Sequence, residues 1–167
     1  MSSAVEIELG SVASLWRYPV KWVQGEELTA SEEAERGLLG DRAYALVDRS
    51  DGKAATAKNP RKWPHLFEFR ATFLEAPRAG AEVAPIRIIL PDGSTIRSHQ
   101  RDLNQILSKA LNREVTFRAA QLGAVNAEEY WPDMDGLQHR DTVTDFTLPE
   151  RTFFDVAMVL YVAMVLY

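Results

Sequence analysis

The 167-residue chain contains no cysteine. That excludes a disulfide scaffold, a cysteine-based zinc site and a thiol nucleophile within it. Histidine is scarce as well. His65, His99 and His139 form no H-x-x-x-H or H-E-x-x-H pair. There is no Walker loop, no G-x-S-x-G elbow and no G-x-G-x-x-G fingerprint, so hydrolase, nucleotide and dinucleotide chemistries have no motif to rest on. Lysine and arginine form no block, and 19 of them stand against 24 acids for a net charge of −5. An acidic chain without a basic run argues against a general nucleic-acid footprint, but it leaves room for a local cationic pocket. The opening MSSAVEIELG lacks a basic segment followed by an apolar one, and the expectation is a cytoplasmic protein. The longest apolar run, residues 156–167, is twelve residues and too short to span a bilayer.

What is present is ordinary globular material, 46% hydrophobic and 26% charged, enough to bury a core without staples. The organising stretch is Leu15–Asp48, which reads as three strands joined by two turns. Pro19 fixes φ and removes a ladder donor, so the strand that starts near Val12 should break there, with Lys21 just past the break. Gly-Leu-Leu-Gly-Asp-Arg follows at 37–42, where Gly37 and Gly40 permit positive φ and Arg42 opens the next apolar run. Two cations beside kinked or glycine-rich backbone can converge on one anion, such as a phosphate. The alternative is that both are surface cations paired with Asp41 or Glu26. Trp22 and Val23 read as a short extended piece. Glu26–Glu35 has helix propensity.

Further along, Ala43–Val47 is a strand, Asp51-Gly52 a hairpin signal, and Ala54–Lys58 the return strand. Leu66–Leu74 alternates, with Phe67, Phe69, Ala71 and Phe73 on one buried face. Ile86–Leu90 and Ser94–Ser98 form a hairpin about Pro91-Asp-Gly. Leu103, Ile106, Leu107, Ala110 and Leu111 recur at helical spacing, and Asn112 can end that helix. Glu114–Ala120 is a strand with Val115 and Phe117 inward. Gln121–Glu150 reads as a long polar loop region. The fold class is mainly β: a partly closed antiparallel barrel of short strands with one α-helix.

W-R-Y-P-V-K, then G-x-x-G-D-R-x-x-A-L-V-D, resembles the N-terminal β-barrel half of MOSC-domain proteins, a family that includes the molybdenum-cofactor sulfurase C-terminal domain and the mitochondrial amidoxime reducing component. The resemblance continues through Thr56-Ala-Lys-Asn-Pro, Pro91-Asp-Gly-Ser and Thr152-Phe-Phe-Asp-Val-Ala. It favours strand over helix in Glu26–Glu35. It implies a barrel domain over residues 1–120, and a linker with the truncated start of the MOSC domain over 121–167. It implies that Lys21 and Arg42 contact the molybdenum cofactor, a molybdopterin with a phosphate tail, with Trp22 standing where the family often has Ser. The family's activities are sulfur transfer and molybdenum-dependent oxidoreduction, and its metal-ligating cysteine lies later in the full-length sequence. A chain without cysteine cannot supply that ligand, and the expectation is little redox activity and incomplete cofactor retention by these residues alone. The implied partners are the remaining MOSC portion or a redox protein. The alternative function is a non-catalytic β-barrel that docks a protein or binds an anion.

Other candidates are weaker. Asp41 reads as a turn cap or as a group that orients Arg42. Lys58, Asn59 and Arg61 form a solvated loop or line the same cleft. Asp133, Asp135, His139, Asp141 and Asp145 are acidic but lack a calcium-loop pattern. Tyr130, Trp131, Phe146, Phe153 and Phe154 read as packing residues, with Trp131 a further candidate to stack on a pterin. The chain ends in VAMVLY twice over, apolar and strand-forming, where family members continue differently; the expectation is a chain altered or truncated after about Ala157.

Overall fold

The computed structural model describes residues 12–34, 37–120 and 124–148. Within them the protein is mainly β, with one α-helix. No helix among the described residues is long and apolar enough to cross a membrane. The first strands are β1 (Leu15–Arg17), β2 (Glu26–Leu28), β3 (Glu33–Ala34), β4 (Gly37–Leu38) and β5 (Tyr44–Asp48). The stretch expected to hold three strands therefore holds five. The described part of the stretch expected to be strand by the resemblance, residues 26–34, avoids helix but holds two short pieces. Glycine sets the corners. Gly40 has φ +84°, and a Cβ there would sit 2.8 Å from Pro77 Cγ and 2.9 Å from the Phe73 ring.

β1 pairs antiparallel with β2 in the register Trp16↔Glu27, and β3 with β4. β5, buried along its whole length, pairs antiparallel with β9 (Val115–Ala119) in the register Leu46↔Phe117. β6 (Arg70–Phe73), β7 (Ile86–Ile89) and β8 (Thr95–Arg97) make a three-stranded meander. Single residues join these sheets. Val20 bridges Tyr44 in parallel, and Gln24 bridges Arg70. Ala54 bridges Val47 on one side and Ala127 on the other. The expected return strand Ala54–Lys58 is thus one bridging residue, followed by turns. The strands form short sheets stitched at single residues, and among the described residues none of the sheets closes into a barrel.

The helix α1 (Leu103–Ala110) forms where the apolar spacing predicts it. It buries Leu103 and Leu107, each worth about 1.5–3 kcal/mol when removed from water. Asn112 takes φ +48° and ends it. Polar side chains fasten it to β9: Ser108 Oγ accepts from Val115 N–H at 3.0 Å, and Asn104 Oδ1 from Phe117 N–H at 2.8 Å. Phe117 stacks on Tyr44, centroids 4.9 Å apart. The main core gathers Val20, Tyr44, Leu46, Trp63, Leu66, Phe69, Ile86, Ile88 and Leu107.

Two expectations differ from the structure. Leu66–Leu74 does not run as one strand: Leu66–Glu68 is a short 3-10 turn that leaves Phe67 exposed, and the strand begins at Arg70. The polar stretch expected to be a loop contains the longest hairpin among the described residues, β10 (Val125–Trp131) paired along its length with β11 (Thr142–Leu148). Its Ala127 and Leu148 pack with Ala45 and Ala54 in a second small core. The pieces before Val12, Phe153 and Phe154, and the repeated VAMVLY lie outside the described residues.

Candidate functional site

The segment Tyr18–Lys21 lies against Arg42–Tyr44. Arg42 N–H donates to the Tyr18 carbonyl at 2.7 Å, Tyr44 N–H to the Pro19 carbonyl at 3.0 Å, and Lys21 N–H to the Tyr44 carbonyl at 2.9 Å. Pro19 has no N–H to offer, so the chain leaves the β1 ladder there and turns at Lys21. The backbones of the two sequence-predicted cations are thereby brought side by side. Two residues in this corner hold left-handed backbone, Trp22 at φ +61° and Arg42 at φ +50°. For a non-glycine side chain that conformation costs about 1–2 kcal/mol. The extended piece expected at Trp22 is therefore absent, replaced by a kink.

Neither cation is a surface group. Lys21 is 2% exposed and Arg42 7%. Lys21 Nζ lies 5.3 Å from the Trp22 ring, and the Arg42 guanidinium 5.5 Å from the Tyr18 ring. Cations over aromatic faces are attracted by the ring quadrupole. Arg42 also pairs with Asp41. Asp41 orients Arg42 rather than capping its own turn: one carboxylate oxygen pairs with Arg42, and the other accepts the N–H of Tyr18, a residue of another strand end, at 2.8 Å. Burial pushes the Asp41 carboxyl above its ordinary value, and the Arg42 charge beside it opposes this without cancelling it. The Trp22 indole carries the one unusual polar atom of the corner. Its Nε1–H is buried and has no hydrogen-bond partner. A buried donor left unpaired costs about 1–3 kcal/mol.

Sequence reasoning missed Arg17. It is 7% exposed, donates from Nε and Nη2 to Glu26 Oε1 at 2.9 and 2.7 Å, and reaches the Leu39 carbonyl at 3.2 Å. Its guanidinium stands 4.7 Å from the Phe73 ring centroid. Glu26, weighed as a partner for Lys21 or Arg42, is bound to Arg17. Gly25 makes this approach possible, because a Cβ there would lie 2.1 Å from the Arg17 carbonyl oxygen. The arginine inside W-R-Y-P, flanked by aromatics, was the available signal.

A second charged cluster lies under the β10–β11 hairpin. Lys62 Nζ meets Asp51 at 2.7 Å, Glu128 at 3.1 Å and Asp48 at 3.2 Å. Lys53 Nζ meets Asp145 at 2.7 Å and Glu128 at 2.9 Å. Asp48, 1% exposed, also accepts from Arg113 at 3.1 Å and from the Ser50 hydroxyl at 2.7 Å. Burial alone would raise the Asp48 and Glu128 carboxyls, but the hydrogen bonds from Ser50 and Lys62, and from Lys53 and Lys62, outweigh it and hold both low. Bonds to Asp145 and Glu128 raise the Lys53 ammonium.

Lys58, Asn59 and Arg61 belong to this hairpin, not to the Lys21–Arg42 corner. Asn59 Nδ2 donates to Glu128 at 3.2 Å, Lys58 lies 3.6 Å from Glu129, and Arg61 sits 3.9 Å over the Tyr130 ring while pairing with Asp141. The acids at the hairpin tip are divided: Asp133 and Asp135 pair with Arg140, Asp141 with Arg61, Asp145 with Lys53. Among the described residues no three of them gather as a metal-binding group. Trp131 packs inside the hairpin, its Nε1–H donating to Thr144 at 2.8 Å and its ring edge-on to His139.

A family model described as the MOSC N-terminal beta barrel domain matches residues 9–131, more than half of the chain and spanning both Lys21 and Arg42. No curated protein matches the chain.

Proposed function

The chain belongs to the MOSC N-terminal beta barrel family, and on that premise we propose that its Lys21–Arg42 corner holds the pterin-phosphate end of a molybdenum cofactor, in a protein acting in sulfur transfer or molybdenum-dependent oxidoreduction. The observation that carries this reading is a buried lysine, Lys21, next to a buried indole N–H, that of Trp22, which has no acceptor. A ligand oxygen or ring nitrogen would supply that acceptor. Lys21 would contribute a point charge toward a phosphate, and Arg42, steadied by Asp41, a planar fork of donors. Trp22 thus offers an N–H donor where the family often carries a hydroxyl. The donor set fits the anionic end of the cofactor.

It does not reach the metal end, since the chain has no cysteine to offer as thiolate. When bound, the cofactor supplies molybdenum-centred atom transfer and redox chemistry. This chain's residues bind and orient the group and shield it from water. The remaining MOSC portion, in this reading, supplies the thiolate and completes the site.

The test is binding of isolated molybdenum cofactor to the full chain, read as fluorescence of the released, oxidised pterin. Pterin should be retained, and Lys21→Met should reduce retention at least about tenfold, the loss of one charge-assisted contact of about 1.4 kcal/mol or more. Trp22→Phe should reduce it less. Retention unchanged in both variants would overturn the reading.

A further inference from the structure

We propose that the outer face of the β6–β7–β8 sheet is a docking surface for an acidic protein, independent of the cofactor reading. The register places Thr72, Arg87 and Arg97 in one row and Arg70, Ile89 and Thr95 in the next. Alternation puts these six on the side opposite Ala71, Ile88 and Ile96, which are buried. Arg70, Arg87 and Arg97 are exposed, and the face carries no acid.

The pair Arg87↔Arg97 is the telling feature. Like charges directly opposite across two strands destabilise a sheet. Several exposed cations elsewhere are paired: Arg49 with Glu114, Arg61 with Asp141, and Arg140 with Asp133 and Asp135. Among the described residues Arg87 and Arg97 meet no carboxylate, and Arg70 meets only the Gln24 side-chain amide oxygen, at 2.9 Å. A stability cost kept on a rigid sheet, in a chain of net charge −5, is explained by a partner that supplies the missing carboxylates. Guanidinium groups fixed side by side suit carboxylates in two-pronged contacts.

An acidic protein fits better than the other polyanions. Nucleic acid is recognised by extended basic tracks and by aromatic stacking, and this face has three cations and no aromatic ring.

The experiment titrates a fluorescent poly-glutamate peptide into the full chain at low and high salt, with an oligothymidylate and phosphatidylserine vesicles as the competing probes. Saturable peptide binding that salt weakens is expected, with a loss of about fivefold or more in Arg87→Glu and Arg97→Glu, typical of a removed charge-assisted contact. Arg118→Glu, on β9, should bind as the parent does. A second readout separates docking from a structural role. Arg87→Glu creates an opposite-charge pair with Arg97, so Tm should rise by roughly 1–4 °C while binding falls. A fall in Tm, peptide binding insensitive to both substitutions, no peptide binding at low salt, or preferential binding of the oligonucleotide or the vesicles would each overturn the proposal.

Discussion

Two regions of this molecule bury charge, and they do it in opposite ways. Under the β10–β11 hairpin, each lysine is surrounded: Lys62 by three carboxylates and Lys53 by two. Asp48, Asp51 and Glu128 there are held below their ordinary values. In the Lys21–Arg42 corner, the cations lie over aromatic rings, two residues hold left-handed backbone, an indole N–H is unpaired, and the one acid with a shifted carboxyl, Asp41, is pushed up. The first arrangement satisfies itself. The second keeps strain and an unmet donor, features that concentrate at binding sites. Burial of charge alone therefore does not mark a functional site; the surroundings of the charge do.

The largest effect should come from breaking the self-satisfied cluster. Asp48→Ala leaves Lys62 and Arg113 without their shared acid and should cost about 3 kcal/mol, the range for removing one partner of a buried pair. Urea unfolding checks it; a loss below about 1 kcal/mol would put the cluster in the class of weak surface pairs. Gly40→Ala should follow. A Cβ at φ +84° adds left-handed strain and meets the Pro77 and Phe73 rings, for about 1–3 kcal/mol, with the β4–β5 corner and Arg42 displaced. Thermal unfolding of the variant measures it.

Acid should separate the two regions by sign. Asp48, Asp51 and Glu128 ionise below their unfolded values of 3.8, 3.8 and 4.5. Their contribution is whole above those values and is lost as pH falls through the lower folded ones. Asp41 is raised above 3.8, so its share runs the other way: the folded state is favoured on protonation, and that advantage is lost as pH rises through its folded value. Carboxyl NMR titration should show Asp41 protonating before Asp48, Asp51 and Glu128 on descent. Asp41 titrating together with Asp48 would erase the distinction. At high pH, Lys62 is raised above 10.5 despite the burial that lowers it, so its stabilising contribution persists until pH rises past its folded value.

How far the sequence showed this depends on the kind of signal. The turn at Pro19, the positive φ of Gly37 and Gly40, helix α1 and the 86–97 hairpin all follow from single residues or clean periodicity. Lys21 and Arg42 were visible because short motifs mark them. The β10–β11 hairpin was hidden because its alternation is broken by acids on the strands themselves. Glu128 sits directly opposite Asp145, a pairing that reads as loop composition until Lys53, far away in sequence, is seen to bridge both. Arg17 and the Asp48 cluster were hidden for the same reason: partners nine or more positions away decide whether a charge is solvated or built in. Phe67 was misplaced because alternation cannot foresee a 3-10 turn that resets the face.

The smallest change is the most discriminating. Arg42→Gly removes a buried guanidinium but also releases the left-handed strain at φ +50°, about 1 kcal/mol returned by glycine. Asp41 loses its ion pair yet keeps Tyr18 N–H, and its raised carboxyl accepts a proton more readily than an ordinary aspartate. The two terms oppose, so the net change in unfolding free energy should stay within about 1 kcal/mol. Arg42→Ala keeps the strain and loses the same side chain, so it should be the less stable of the two by about 1 kcal/mol, while both lose pterin retention alike. That pattern, stability set by the backbone and retention by the side chain, is what a binding residue shows. If Arg42→Gly instead unfolds as easily as Asp48→Ala, then Arg42 holds the fold together as the hairpin lysines do, and the contrast between the two regions disappears.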